Sequence, residues 1–230
     1  MRVRVVTTTL GITAALLALP ACSTEITPTT SDTATSARKP ADTGTQAAPL
    51  SSAALEARLL DEHDLGSGYL REPERPTRHD DVTVVGCPAL SKLGGDAATG
   101  GSPSFAHQAK AAFTYAGGSN SDVSEELYSD RANTLSDGTG RIFDAMTGCP
   151  TYQVVTGDTP IDVSAQKLPA PHGLGDEQWS QLLTFSAAGR STVMKQVAIR
   201  KGSVLVIVSG SPALVDLQLE KALAKATVAN

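Results

Sequence analysis

The sequence predicts an α+β fold, a single domain in which one antiparallel sheet packs against helices. Its last third carries that reading. Short runs of alternating or continuous apolar residues, in "TYQVVTG", "IDVSAQKL" and "EQWSQLLTFSAAGRSTVMKQVAIRKGSVLVIVSG", read as five strands. Turns fall at Ala188–Gly189 and Lys201–Gly202, and strands joined by such short links are antiparallel neighbours. The segment "PALVDLQLEKALAKAT" then places Leu214, Leu217, Leu219, Ala222, Leu223 and Ala226 at helical spacing. Strands followed by a helix with an apolar stripe define an α+β sandwich. Only 4% of residues are aromatic, so the core is built from Val, Leu, Ile and Ala.

Earlier elements follow the same logic. In "SSAALEARLLDEHDLG", Leu55, Leu59 and Leu60 share one helical face, Ser51 or Ser52 caps the start, and the helix ends near Leu65 before Gly66, Gly68, Pro73 and Pro76. A glycine-rich loop follows "GCPALSKLGG" and runs to Ser104, and "HQAKAAFTY" then alternates as a strand with Phe113 and Tyr115 on one side. "SDVSEELYS" reads as its partner strand or, in its middle, as the first turn of a helix. Arg131 to Thr147 is helical, with Leu135, Ile142, Phe143 and Met146 on its apolar face despite Gly138 and Gly140.

Residues 1–21 have the three parts of an export signal: Arg2 and Arg4, an apolar stretch from Leu10 to Leu19, and small residues before a cut. That stretch is shorter than the roughly 20 residues of a membrane span. Leu19, Pro20, Ala21 and Cys22 resemble the lipobox of bacterial lipoproteins. The resemblance implies that the Cys22 sulfur receives diacylglycerol and that Cys22 becomes the first residue of the mature chain. The alternative is an ordinary secretory signal with an incidental cysteine.

Residues 22–50 then form the lipidated end and a linker rich in Thr, Ser and Pro, with no aromatic residue. Such composition cannot bury enough surface to offset its ordering entropy and stays disordered. Its mean reach is about 30 Å, enough to hold a domain of residues 51–230 clear of lipid headgroups. Durable anchoring rests on the two or three acyl chains that a mature lipoprotein carries. Loss of residues 1–21 removes two arginines and no acid, moving the formal charge from −5 to −7. That balance argues against a nucleic-acid partner, because phosphate contacts need Lys and Arg.

With Cys22 acylated, Cys87 and Cys149 are an even pair in an oxidising compartment and are expected to form a disulfide. The loop between them corresponds to roughly 4 kcal/mol of chain-entropy stabilisation. Each is followed by Pro, which places it at the end of an element. A redox-active pair would favour the close Cys-x-x-Cys spacing instead.

The order of the motifs now carries a resemblance. A lipobox and Thr/Ser linker lead into "LLDEHDLGSGYL", "CPAL", a strand pair, "FDAMTGCPTY", "GLGDEQ" and "RKGSVLVIVS". This resembles the actinobacterial sensor-type lipoproteins related to the PknH-like extracellular domain, the outer half of certain receptor Ser/Thr kinases. The resemblance covers most of residues 51–230. It implies an extracytoplasmic α+β sensor or ligand-binding module with a cleft, without catalysis and without a cofactor. No kinase segment is attached, and the second disulfide that such kinase domains tend to carry is missing.

Three enzyme-like patterns in the chain are incomplete. "SAQK", Ser164 to Lys167, matches a Ser-x-x-Lys pattern that works only when Ser opens a helix. Here it lies on a strand stopped by Pro169, and "KGS" at 201–203 inverts the Lys-Thr-Gly that accompanies it. "GDAATGGS", Gly95 to Ser102, has phosphate-loop glycine spacing but Gly101 where Lys must stand. His63, His79, His107 and His172 show no metal-ligand spacing. The pairs Asp80/Asp81, Glu125/Glu126 and Asp176/Glu177 read as solvated faces, with "GLGDEQ" singled out because Asp176 can bond loop amides beside Gly173 and Gly175. Trp179 reads as a core strand residue.

Three readings of function follow. The first is a binding or sensor module anchored through Cys22 on the outer face of the membrane, with an unnamed small ligand or envelope protein as partner. The second is a cell-envelope hydrolase with dispersed catalytic residues. The third is an accessory lipoprotein that contacts another envelope protein.

Overall fold

The computed structural model describes residues 48–73, 82–94, 97, 105–117 and 121–228. Cys22, His79, the pair Asp80/Asp81 and most of the Gly95–Ser102 loop lie outside these residues.

Nine strands form one sheet: β1 (Tyr69–Arg71), β2 (Val82–Val85), β3 (His107–Tyr115), β4 (Asp122–Ser129), β5 (Thr151–Thr156), β6 (Thr159–Lys167), β7 (Glu177–Ala187), β8 (Arg190–Lys201) and β9 (Val204–Gly210). Their order is β1-β3-β4-β9-β8-β7-β6-β5-β2, antiparallel throughout. The expected strands from β3 onward are all present, and "SDVSEELYS" is strand, not helix. The short edge strands β1 and β2 were not anticipated. Three or four residues carry too little alternation to register, and short edges limit unwanted pairing with other chains.

β1 and β2 are consecutive in sequence yet occupy opposite edges.

The helices are α1 (Ser52–Glu56), α2 (Glu62–Leu65), α3 (Pro88–Ser91), α4 (Ala132–Gly148) and α5 (Pro212–Ala226). The single helix expected up to Leu65 is broken into α1 and α2. Asp61 caps α2 in a reciprocal box with Asp64, and the Leu60 amide donates to the Glu125 carboxylate rather than to a helical carbonyl. Leu55, Leu59 and Leu60 are nevertheless all buried.

Helices cover both faces of the sheet but over different halves. On the first face, α1 lies over β3 and β4, and α5 over β4, β9 and β8. Their core joins Leu55, Phe113, Leu127, Val206 and Val208 to Val215, Leu219 and Ala222. The stripe on α5 thus runs through Val215, Leu219, Ala222 and Ala226, while Leu217, expected in it, is 69% exposed. At about 100° per residue, Leu217 falls well off the line from Val215 to Leu219. On the second face, α4 packs Leu135 and Phe143 on Leu205 and Ile207, and Ile142 and Met146 near Val163 and Leu183.

The disulfide forms as expected: Cys87 and Cys149 are bonded, closing a sequence separation of 62. Cys87 caps α3 and Cys149 ends α4, so the bond ties two element ends over the second face. Pro follows each cysteine at these boundaries, as the "CP" pairs suggested.

Candidate functional site

Among the described residues, the helices leave the β7-to-β2 half of the first face uncovered. On the first face, α5 stops over β8, where Lys195 is ion-paired to Asp216 of α5. Beyond that pair, the first-face side chains of β7, β6, β5 and β2 line a depression of about 530 Å³. Strand alternation and register set its chemistry. One cross-strand row runs Val85, Gln153, Asp162, Ser186 and Ser191; the next runs Thr151, Ser164, Thr184 and Val193.

Within the first row, the Gln153 amide donates to Asp162 at 3.0 Å, and the Ser186 and Ser191 hydroxyls share a bond of 2.8 Å. Among the described residues, the depression is lined by hydroxyl and amide side chains and the Asp162 carboxylate, together with Val85, Tyr152 and Val163, and by no Lys or Arg. Val85, 50% exposed, and Val193, 45% exposed, sit at the ends of the two rows.

Ser164 belongs to this surface, but not in the role its motif suggested. It stands on β6, and the alternation of the strand sends Lys167 to the opposite face, so Lys167 has no path to its hydroxyl. His63 and His172 are exposed on α2 and a loop, and His107 is half-buried on β3. None of the three lines the depression. Among the described residues there is no cluster of three His, Cys, Asp or Glu that could hold a metal ion.

"GLGDEQ" is a structural brace. Asp176 accepts from the Gly202 amide at 2.8 Å and from Arg200 at 3.0 Å, while Glu177 accepts from Arg200 at 2.6 Å and from Ser136 of α4 at 2.9 Å. The loop therefore locks the start of β7 to the β8–β9 turn and to α4. Gly175 is required by its positive φ of 68° and by space: a Cβ would lie 2.6 Å from the Arg200 carbonyl oxygen. Trp179 packs at a tilt on Phe143 of α4, ring centroids 6.3 Å apart, half-buried as a core-rim residue.

Glu125 corrects a sequence reading. The sequence reading puts it with Glu126 on a solvated face, yet it is 1% exposed. Adjacent strand residues point to opposite faces, so Val123, Glu125 and Leu127 all turn toward α1 and α2, while Glu126 turns away to meet Lys110 and Tyr128. Burial pushes the Glu125 carboxyl up to about 7. The signal was legible: a strand reading of "DVSEELY" puts Glu125 between two apolar residues of one face.

Fold and site together define a class: an α+β domain with a nine-stranded antiparallel sheet, helices over part of each face, and an open half-face carrying hydroxyl and amide side chains. No protein-family model matches the chain, and no curated protein matches it in sequence. Among solved structures, it is similar to the extracellular domain of PknH from Mycobacterium tuberculosis, with a TM-score of 0.53 and 15% identity over 77% of this chain and 95% of that one. At that identity the likeness establishes a shared PknH-like fold, as the motif order led one to expect.

Proposed function

We propose that this chain is an extracytoplasmic binding or sensor module, held at the outer face of the cell membrane through lipid on Cys22, and that it performs no catalysis of its own. The observation that carries the binding part is the open half-face of β2, β5, β6 and β7: a concave, preformed surface of convergent polar groups beside a covered core. Among the described residues, no histidine stands beside the lining hydroxyls to activate them, which favours binding over hydrolysis.

Among the described residues the lining holds no Lys or Arg, which disfavours anionic ligands, including nucleic acid. Ser164, Thr184, Ser186, Thr151 and Gln153 suit a ligand rich in hydroxyl or amide groups, and Asp162 adds tolerance for a positive charge.

Among the described residues, no helix is long and apolar enough to cross a membrane. The lipid anchor is supported by the sequence around Cys22. Expressed in a bacterium with lipoprotein processing and fed labelled palmitate, the wild-type protein is expected to take up label and fractionate with membranes. Cys22→Ser is expected to lose both properties. Label retained in Cys22→Ser, or absent from the wild type, would overturn the anchor.

A further inference from the structure

The first face hides a carboxylate that the binding site does not use. Glu125 of β4 lies beneath the α1–α2 segment, flanked in register by Ala111 and Val208. One carboxylate oxygen accepts from the Leu60 amide at 2.6 Å, and the other, Oε1, is buried with no hydrogen-bond partner. An ionised carboxylate left half-satisfied in an apolar setting strongly disfavours the state that buries it.

We propose that the α1–α2 segment is a proton-controlled cover: a protonated Glu125 lets Leu55 to Leu65 close on the sheet, and ionisation of Glu125 loosens it. The cover sits where residues 22–50 enter the domain, with the Leu50 amide donating to Ser129 at 2.8 Å. A change in its closure therefore acts at the junction between the anchor segment and the sheet.

The surrounding charges hold the cover in place. Lys225 of α5 pairs with Asp61 and Asp64 of the α2 cap, Lys221 donates to the Asp64 carbonyl, and Arg58 donates to the Ala226 carbonyl at 3.0 Å. The Lys225 hydrogen bond and the Asp64 amide hold Asp61 down at about 2, and the two aspartates hold Lys225 above its ordinary value against its own desolvation. On the outer side of α1 and α2, Glu56 pairs with Arg71 and Glu62 accepts from the Arg71 amide. His63 is exposed on α2, and its charge is separated from that of Glu125 by a His63→Gln control.

The sign follows from linkage. Desolvation raises Glu125 from 4.5 to about 7 when it is covered, so the closed state binds more protons and raising the pH favours opening. With 4.5 for the uncovered carboxyl, the opening constant grows about thirty-fold between roughly pH 5.5 and pH 8.

Hydrogen exchange on the intact chain tests this. After correction for intrinsic exchange rates, amides of residues 55–65 are expected to lose about thirty-fold in protection between those two pH values. Glu125→Gln is expected to show equal protection at both, and His63→Gln to keep the wild-type change. Wild-type protection that is independent of pH, a change that persists in Glu125→Gln, or one that vanishes in His63→Gln would each overturn the proposal. Should Glu125→Gln fail to fold, a carbon-detected titration of the wild-type Glu125 carboxyl decides, and a midpoint near the ordinary 4.5 refutes it.

Discussion

Replacing Cys87 and Cys149 by serine is expected to lower unfolding free energy by about 4 kcal/mol, the chain-entropy value for a loop of 62 residues. Small domains are stable by only about 5–15 kcal/mol, so this loss removes a large share of the margin. The bond also holds a packing unit together. Cys87 and Leu90 of α3 lie in the same core as Ile142 and Met146 of α4 and Tyr152 and Val154 of β5. Without it, α3 and the edge strand β2 are joined to α4 by noncovalent contacts alone. Urea denaturation of the oxidised protein against the double variant checks the size, with the midpoint falling and the slope steady or steeper. A loss below about 1 kcal/mol would show that the loop is already constrained in the unfolded chain.

Gly175→Ala is the second large effect, at about 3 kcal/mol. The residue has φ of 68°, and its new Cβ would lie 2.5 Å from Ile199 Cγ2 and 2.6 Å from the Arg200 carbonyl oxygen. The backbone of β8 cannot yield there without disturbing the Arg200 pairs with Asp176 and Glu177. Gly173→Ala supplies the internal control. Its φ is 79°, but nothing lies within 4 Å of the added carbon, so only the backbone strain of about 1 kcal/mol applies. Thermal unfolding of both variants distinguishes steric overlap from strain. Equal losses would mean that the loop relaxes freely and that the brace is dispensable.

The strands from β3 onward and the helices α4 and α5 were legible because each carries a full period of apolar residues, long enough for alternation or a stripe to show. The disulfide was legible from cysteine parity and the two "CP" boundaries. Leu217 was misassigned because three leucines at 214, 217 and 219 admit two stripes, and only the sheet decides that Val215 replaces it. The break at Leu60 depends on a contact 65 positions away, the Glu125 carboxylate, which no local pattern encodes.

The open half-face was hidden for a different reason. Thr151, Ser164, Thr184 and Ser186 look like the ordinary solvent side of a meander in sequence. They become a site only when the order of nine strands shows that α5 stops at β8. "GLGDEQ", by contrast, was recognised as a loop held by Asp176, and the Gly202 amide is the bond that Asp176 makes.

The claim that this half-face binds a ligand is tested most directly by native mass spectrometry of the exported protein, wild type beside Ser164→Trp. Ser164 is exposed, so the indole fills the depression without entering the core. The expected result is a reproducible extra mass on the wild type that leaves on denaturation and is missing from Ser164→Trp. A bare wild-type protein, or an adduct that survives the substitution, would contradict a ligand site on the open face.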